Sequence, residues 1–114
     1  MEESILISIK KMLGLDESYT AFDLDVIIHI NAVLMVLTQL GVGPSEGFSI
    51  EDDSAAWGDF IEEKDMSRYN SVKTYMYLKV KLLFDPPTSS ATIESFNRLI
   101  SELEFRLNVA AEST

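Results

Sequence analysis

Cysteine is absent from this 114-residue chain, which excludes disulfide bonds, thiolate nucleophiles and thiolate metal ligands. Basic residues are scarce: nine Lys and Arg stand against nineteen Asp and Glu, a net charge of −10. That balance argues against a nucleic-acid-binding surface, because neutralising phosphates requires clustered cations. No apolar run reaches the ~20 residues of a membrane-spanning helix. Acidic Glu2 and Glu3 occupy the place of the positive charges that begin a secretory signal.

Patterns for catalysis and metal binding are also missing. His29 is the only histidine, and a typical zinc site needs further nitrogen, sulfur or carboxylate ligands. Asp25 lies one helical turn earlier, within reach of an ion pair or hydrogen bond, but no nucleophile accompanies the pair. Counting a calcium-binding loop from Asp53 places Lys64 where a bidentate glutamate is required. We therefore expect no enzyme activity, no metal site and no cofactor.

The first half of the chain has the apolar periodicity of two helices. The first is predicted over about Glu3–Leu13, with Gly14 in the left-handed conformation that ends many helices. The second begins after Thr20, whose spacing to Asp23 fits a capping box. Tyr19 and Leu24 would then pack together as a hydrophobic staple. This helix ends at Gly41. Because apolar residues surround most of this second helix, we expect it to be the central one.

The second half predicts two more helices. One spans Ser67–Phe84 and stops at the prolines that follow Asp85; its alternative is a strand, since Leu78–Leu82 alternates with period two. The next begins at the Ser and Thr residues 88–90, and we expect its tail to fray from about residue 109. Its apolar seam comprises Ile93, Phe96, Ile100, Leu103 and Leu107. The sequence thus predicts one all-α domain over residues 1–114, a compact four-helix-type fold with a long acidic loop and a short fifth helix near Trp57.

The long loop after Gly41 contains most of the candidate functional residues. Gly43-Pro44 and Gly47 predict turns, and acidic residues dominate the rest of the loop. Runs of like charge usually form a solvated face. The acidic candidates are Glu51, Asp52, Asp53, Asp59 and Glu62.

Aromatic side chains within this acidic loop have two interpretations. Phe48, Trp57 and Phe60 either fold back into the core or anchor a subunit contact. Lys79 and Lys81 also have two interpretations, and the sequence does not decide between them. Their side chains extend past the edge of the core, or they form salt bridges within or between subunits. The candidate interface residues are Val42, Pro44, Phe48, Ile50, Trp57, Phe60, Lys79 and Lys81.

Four segments together resemble the head–tail connector family (head-completion or neck adaptor proteins) of long-tailed phages and prophages of Gram-positive bacteria. They are Phe22–Asn31, Leu37–Ile50, Trp57–Phe60 and Tyr75–Pro87, within a likeness that covers roughly Leu6 to Leu107. No single segment is a mechanistic motif, so the resemblance rests on their combination and order.

The resemblance implies a mainly helical subunit that assembles as a ring beneath the portal, at the neck of the virion, after synthesis in the bacterial cytoplasm. Such a ring extends the DNA channel and docks the next neck or tail-completion protein, and DNA passes through it without specific binding. No catalytic residue is carried over. The net charge adds a hypothesis: acidic side chains lining the channel would repel DNA and let it slide.

Two other functions remain open from the residues alone. An acidic inhibitor that mimics DNA fits the net charge, although such mimicry needs carboxylates spread along a rod. A helical adaptor that binds one protein partner fits the apolar seam of the fourth helix. Concentration-dependent assembly distinguishes the connector from both.

Overall fold

The computed structural model describes residues 1–112. Its helices are α1 (Ile5–Met12), α2 (Asp23–Gln39), α3 (Trp57–Phe60), α4 (Tyr69–Phe84) and α5 (Ser90–Glu112), and a 3₁₀ helix (Glu63–Arg68) leads directly into α4. Over the described residues no strand forms, and the only β-type pairing is an isolated bridge between Ser4 and Ala56. The predicted all-α class, with a short helix near Trp57, is confirmed.

The two ends of α1 follow from local sequence. Ser4 caps its start by accepting a hydrogen bond from the Ile7 N–H at 3.2 Å. Gly14 follows its end with φ +82°, a conformation that a side chain would strain. The first predicted helix is therefore confirmed at both ends, within two residues.

The capping box predicted for α2 is wrong. The helix begins at Asp23 without a side-chain cap, and Thr20 contributes only its carbonyl, which accepts from the Asp23 N–H at 3.1 Å. Leu24 is exposed, and Tyr19 instead packs edge-on against Phe22, with 5.6 Å between ring centroids. The segment before α2 is held by tertiary contacts to α1, which local spacing does not reveal.

The central helix is α4, not α2. It packs against both α2 and α5, and against α1 more lightly. Phe84, at its end, lies beside Phe22 at the start of α2, with 5.5 Å between ring centroids. Arg68, just before its start, donates to the Leu107 carbonyl near the end of α5 at 3.0 Å. Helix α4 therefore runs antiparallel to both neighbours, and α2 and α5 run parallel to each other.

Helix α5 begins as the sequence predicts and is helical as far as Glu112. The Ser89 hydroxyl accepts from the Thr92 N–H at 3.4 Å, and the seam buries Ile100, Leu103 and Leu107. The helix continues to Glu112, because Ala111 packs closely over Gly41, where a Cβ would overlap it. Fraying from about residue 109 stays a prediction, and residues 113 and 114 lie outside the described part.

The first residues of the chain pair with the segment that leads into α3. Ile5 N–H donates to the Ala55 carbonyl and Trp57 N–H to the Glu3 carbonyl, each at 3.0 Å. Gly58 N–H donates to the Met1 carbonyl at 2.7 Å. This short antiparallel contact joins the N-terminus to the middle of the chain.

Candidate functional site

The long loop between α2 and α4 is fixed by one buried carboxylate. Asp65 is fully buried and accepts from the N–H groups of Gly43 (2.9 Å) and Glu62 (3.2 Å), which lie at opposite ends of the loop. Its other oxygen contacts Arg68 at 2.6 Å and Lys64 at 3.1 Å. Burial by itself raises the pKa of Asp65, but the hydrogen bonds and the adjacent Lys64 outweigh it and hold the pKa below its usual value. Nothing in the sequence distinguishes Asp65 from its exposed acidic neighbours.

A second clamp fixes the middle of the loop. The Asn31 side chain on α2 donates to the Ile50 carbonyl at 3.0 Å and accepts from the Ile50 N–H at 2.8 Å. This bidentate contact takes the place of strand pairing for an extended segment. The loop is therefore a rigid part of the fold, attached at residues 43, 50 and 62.

Four of the predicted interface residues are buried within the subunit: Val42, Ile50, Trp57 and Phe60. The Trp57 indole N–H donates to the Ser8 hydroxyl at 2.7 Å, and its ring packs against Tyr69. Side chains without exposed surface cannot contact a neighbour directly, so for these four the structure corrects the expected role to core packing. Whether the loop that they support contacts another subunit stays a prediction.

The surface that this loop offers comes from Pro44 and Phe48, which are half-buried. The Phe48 ring packs on Phe60, with 5.4 Å between centroids, and part of it stays accessible. Exposed Ser45 and Glu46 border this apolar edge. An aromatic side chain within a polar rim is typical of a protein contact.

All five acidic candidates are exposed: Glu51, Asp52, Asp53, Asp59 and Glu62. Two of them also shape the local backbone. Asp52 accepts from the Ser54 hydroxyl and N–H, and these hydrogen bonds lower the pKa of Asp52. Asp59 accepts from the Ala56 N–H at 2.9 Å at the start of α3. Their exposure is compatible with a channel wall or with a solvated outer face.

The two lysine candidates on α4 differ. Lys81 pairs with Asp85 at 2.9 Å, one turn along the same helix. Lys79 has no carboxylate partner among residues 1–112, and its ammonium lies over the Tyr75 ring, 5.9 Å from the centroid. Tyr75 itself donates to Glu104 on α5 at 2.6 Å; burial, this hydrogen bond and the nearby negative charge raise the pKa of Tyr75.

An exposed apolar stripe along α2 is the main feature that the sequence interpretation missed. Leu24 is 70%, Ile28 55% and Met35 59% exposed, and exposed Ala32 lies between the last two. The buried side chains of the helix lie on its opposite side. The sequence does contain a sign of this stripe, because apolar residues surround α2. In the structure only one side of the helix is covered.

An open groove of about 480 Å³ adjoins this stripe. Its walls are the rings of Phe22 and Phe84, and its polar groups are Asp25, His29 and Asp85. Within the described residues no hydrogen bond or ion pair joins Asp25 to His29. Nor is any group of three or more His, Asp or Glu side chains in residues 1–112 arranged to hold a metal ion.

The structure thus combines helices packed around a fixed loop with an exposed apolar stripe and exposed acidic side chains. The family model described as "Phage connector protein" matches residues 5–114, and the chain belongs to this family. No curated protein and no solved structure matches the chain significantly. Among the described helices, none is long and apolar enough to cross a membrane.

Proposed function

We propose that this chain is a non-enzymatic structural subunit of the virion neck, which forms a ring beneath the portal. The single observation that carries the proposal is the family match, which spans all five helices. The ring extends the DNA channel and docks the next neck or tail-completion protein. Residues 1–114 act as one unit in this assembly.

The loop edge formed by Pro44 and Phe48 is the proposed contact with the portal or a neighbouring subunit. Its backbone is fixed at three points by Asp65 and Asn31, so little conformational entropy is lost on binding. Phe48 supplies apolar contact area, and Lys79, which lacks an ionic partner within residues 1–112, supplies a cation for an acidic neighbour.

The exposed acidic residues of the loop are proposed to face the channel. A wall that carries Glu51, Asp52 and Asp53 repels phosphates, so DNA passes without sticking. Neutralising these three residues to Gln or Asn is expected to increase DNA retention by the assembled ring in a low-salt filter-binding assay. Unchanged retention in assembled rings would place the acidic residues on the outer wall.

The test of the ring itself is native mass spectrometry combined with multi-angle light scattering, over a range of protein concentration and salt. Closed oligomers of defined stoichiometry, in solution or on added portal particles, are expected. A monomer that ignores portal particles but binds a basic enzyme in a salt-sensitive way would reject the connector in favour of an inhibitor. One-to-one binding of a helical peptide would favour an adaptor.

A further inference from the structure

We infer that the α2 stripe is covered by the outer face of α5 from a second copy of this chain, which is the contact that repeats around the proposed ring. The inference rests on the proposed function and adds the two surfaces that meet. The α2 stripe comprises Leu24, Ile28, Ala32 and Met35. The α5 face comprises Arg98, Phe105 and Val109; Phe105 is 70% and Val109 44% exposed.

A ring requires two different surfaces on each subunit, because in a head-to-tail contact one face of a subunit binds the other face of its neighbour. The structure provides two such faces. Helix α4 packs between α2 and α5, and each apolar face lies on the side of its helix away from the core. The molecule is flat, with extents of 40 × 35 × 19 Å.

Helix direction also fits rotation about a ring axis. Because α2 and α5 run parallel within one subunit, a rotation about an axis close to their own direction keeps them parallel between subunits. A two-fold axis perpendicular to the helices would instead place the facing helices antiparallel. The predicted contact is therefore parallel.

Charge and spacing set the register of this contact. Asp25, beside the stripe, has no basic partner among residues 1–112, and exposed Arg98 has no carboxylate partner there. Pairing Arg98 with Asp25 places Phe105 level with Ala32, because each lies seven residues, about 10.5 Å, further along its helix. A seven-residue step returns to nearly the same helix face, so the ionic and apolar contacts align.

The size of the α2 stripe explains why the occupant is a repeating copy. The stripe has four exposed apolar side chains, whereas each partner contributes roughly 20–30 residues to a stable standard interface. One such contact is weak, whereas a subunit held on both sides in a closed ring gains from both contacts at once. We therefore expect few stable dimers and cooperative formation of the complete ring.

Site-specific crosslinking tests the pairing directly, because the chain has no cysteine of its own. Ala32→Cys on α2 and Ser101→Cys on the exposed side of α5 are prepared as separate variants. They are mixed with a short bismaleimide at several concentrations. Thr74→Cys, on the exposed side of α4, replaces Ser101→Cys in the control mixture. A yield of mixed dimer about tenfold above the control is expected.

Charge reversal tests the register. Asp25→Arg or Arg98→Glu alone is expected to lower the crosslinking yield about tenfold, because like charges then face each other, and the double variant should restore it. Glu17→Arg, at an exposed position that belongs to neither face, is the matched control and should change the yield little. Single reversals that behave like Glu17→Arg would overturn the Asp25–Arg98 pairing.

The outcomes separate this contact from the ring. Dominant crosslinks between two Ala32→Cys copies would overturn the α2–α5 pairing in favour of a two-fold contact. Rings that form with no crosslinking above the control would also overturn it, while the proposed function survives. Specific crosslinking with only open chains under the electron microscope would support the contact and reject the ring. A chain that stays monomeric and uncrosslinked, also with portal particles present, overturns the second copy as the occupant.

Discussion

The Lys10 ammonium lies 2.8 Å from the Asp23 carboxylate, although the Lys10 side chain is only 2% exposed. Beside this ion pair, the ammonium donates hydrogen bonds to the carbonyls of Tyr19 at 2.7 Å and Glu17 at 3.0 Å. The buried cation thus joins α1 to the connecting segment and to the first residue of α2. It explains why the connection keeps its shape without a capping box.

We expect Lys10→Met to destabilise the fold by about 3 kcal/mol, the lower part of the range for breaking a buried ion pair, because Asp23 keeps some contact with water. Urea unfolding followed by circular dichroism measures the loss. Lys11→Met, at the exposed neighbouring position, should change the free energy of unfolding by less than about 0.5 kcal/mol. Equal changes in the free energy of unfolding for the two substitutions would show that the Lys10 ammonium does not stabilise the fold and that only its alkyl chain contributes.

Ser8→Ala tests the hydrogen bond that fixes Trp57. Removing the hydroxyl leaves the buried indole N–H without its partner, which costs about 1–3 kcal/mol in unfolding free energy. In a Trp57→Phe background the same substitution should cost clearly less, since no N–H remains to be satisfied. A full double-mutant cycle by urea unfolding gives the coupling, and a coupling near zero would contradict the bond.

Two glycines of the long loop provide a matched pair. Gly43 (φ +77°) and Gly47 (φ +98°) both have backbone conformations that disfavour side chains. A Cβ on Gly43 would overlap the Phe60 ring, whereas nothing lies near a Cβ on Gly47. Gly47→Ala should cost about 1–2 kcal/mol of unfolding free energy from backbone strain alone. Gly43→Ala should cost distinctly more, and similar values for the two would place Phe60 elsewhere.

Asp65 should make stability depend on pH in the acid range. Its pKa is lower in the folded protein than in the unfolded chain, so the unfolded chain binds the proton more tightly. The stabilisation is therefore complete above the unfolded value of about 4 and is lost as the pH falls through the folded value. Asp65→Asn should flatten this part of the profile of unfolding free energy against pH. Asp53→Asn, at an exposed site, serves as the control and should leave the slope largely intact.

Helices are the part of this fold that local sequence predicts well. The periodicity of α1 and α5, the glycine after α1 and the prolines after α4 each act within one or two turns. The contribution of Lys10 and Asp65 was not predicted, because a buried charge is recognised only by partners that the fold brings near. Trp57 had two interpretations for the same reason: an aromatic residue in an acidic segment suits a core or an interface equally.

Of the candidate surfaces, the sequence predicted the exposed acidic residues, since like charges seldom share a core. It did not predict the exposed stripe of α2. Leu24 and Met35 have the same chemistry as buried Val26 and Leu34. Only the placement of α1 and α4 decides which of these side chains is covered.

The pairing of the first residues with Ala55–Gly58 has a consequence for synthesis. Trp57 lies 49 residues after Ser8, its hydrogen-bond partner, so α1 cannot complete its packing until about half of the chain has left the ribosome. Until then its apolar stripe of Ile5, Leu6 and Ile9 is covered only in part, and the rest is open to other nascent chains. Productive folding of this subunit is therefore late, and a pause in translation before Trp57 would favour aggregation over assembly.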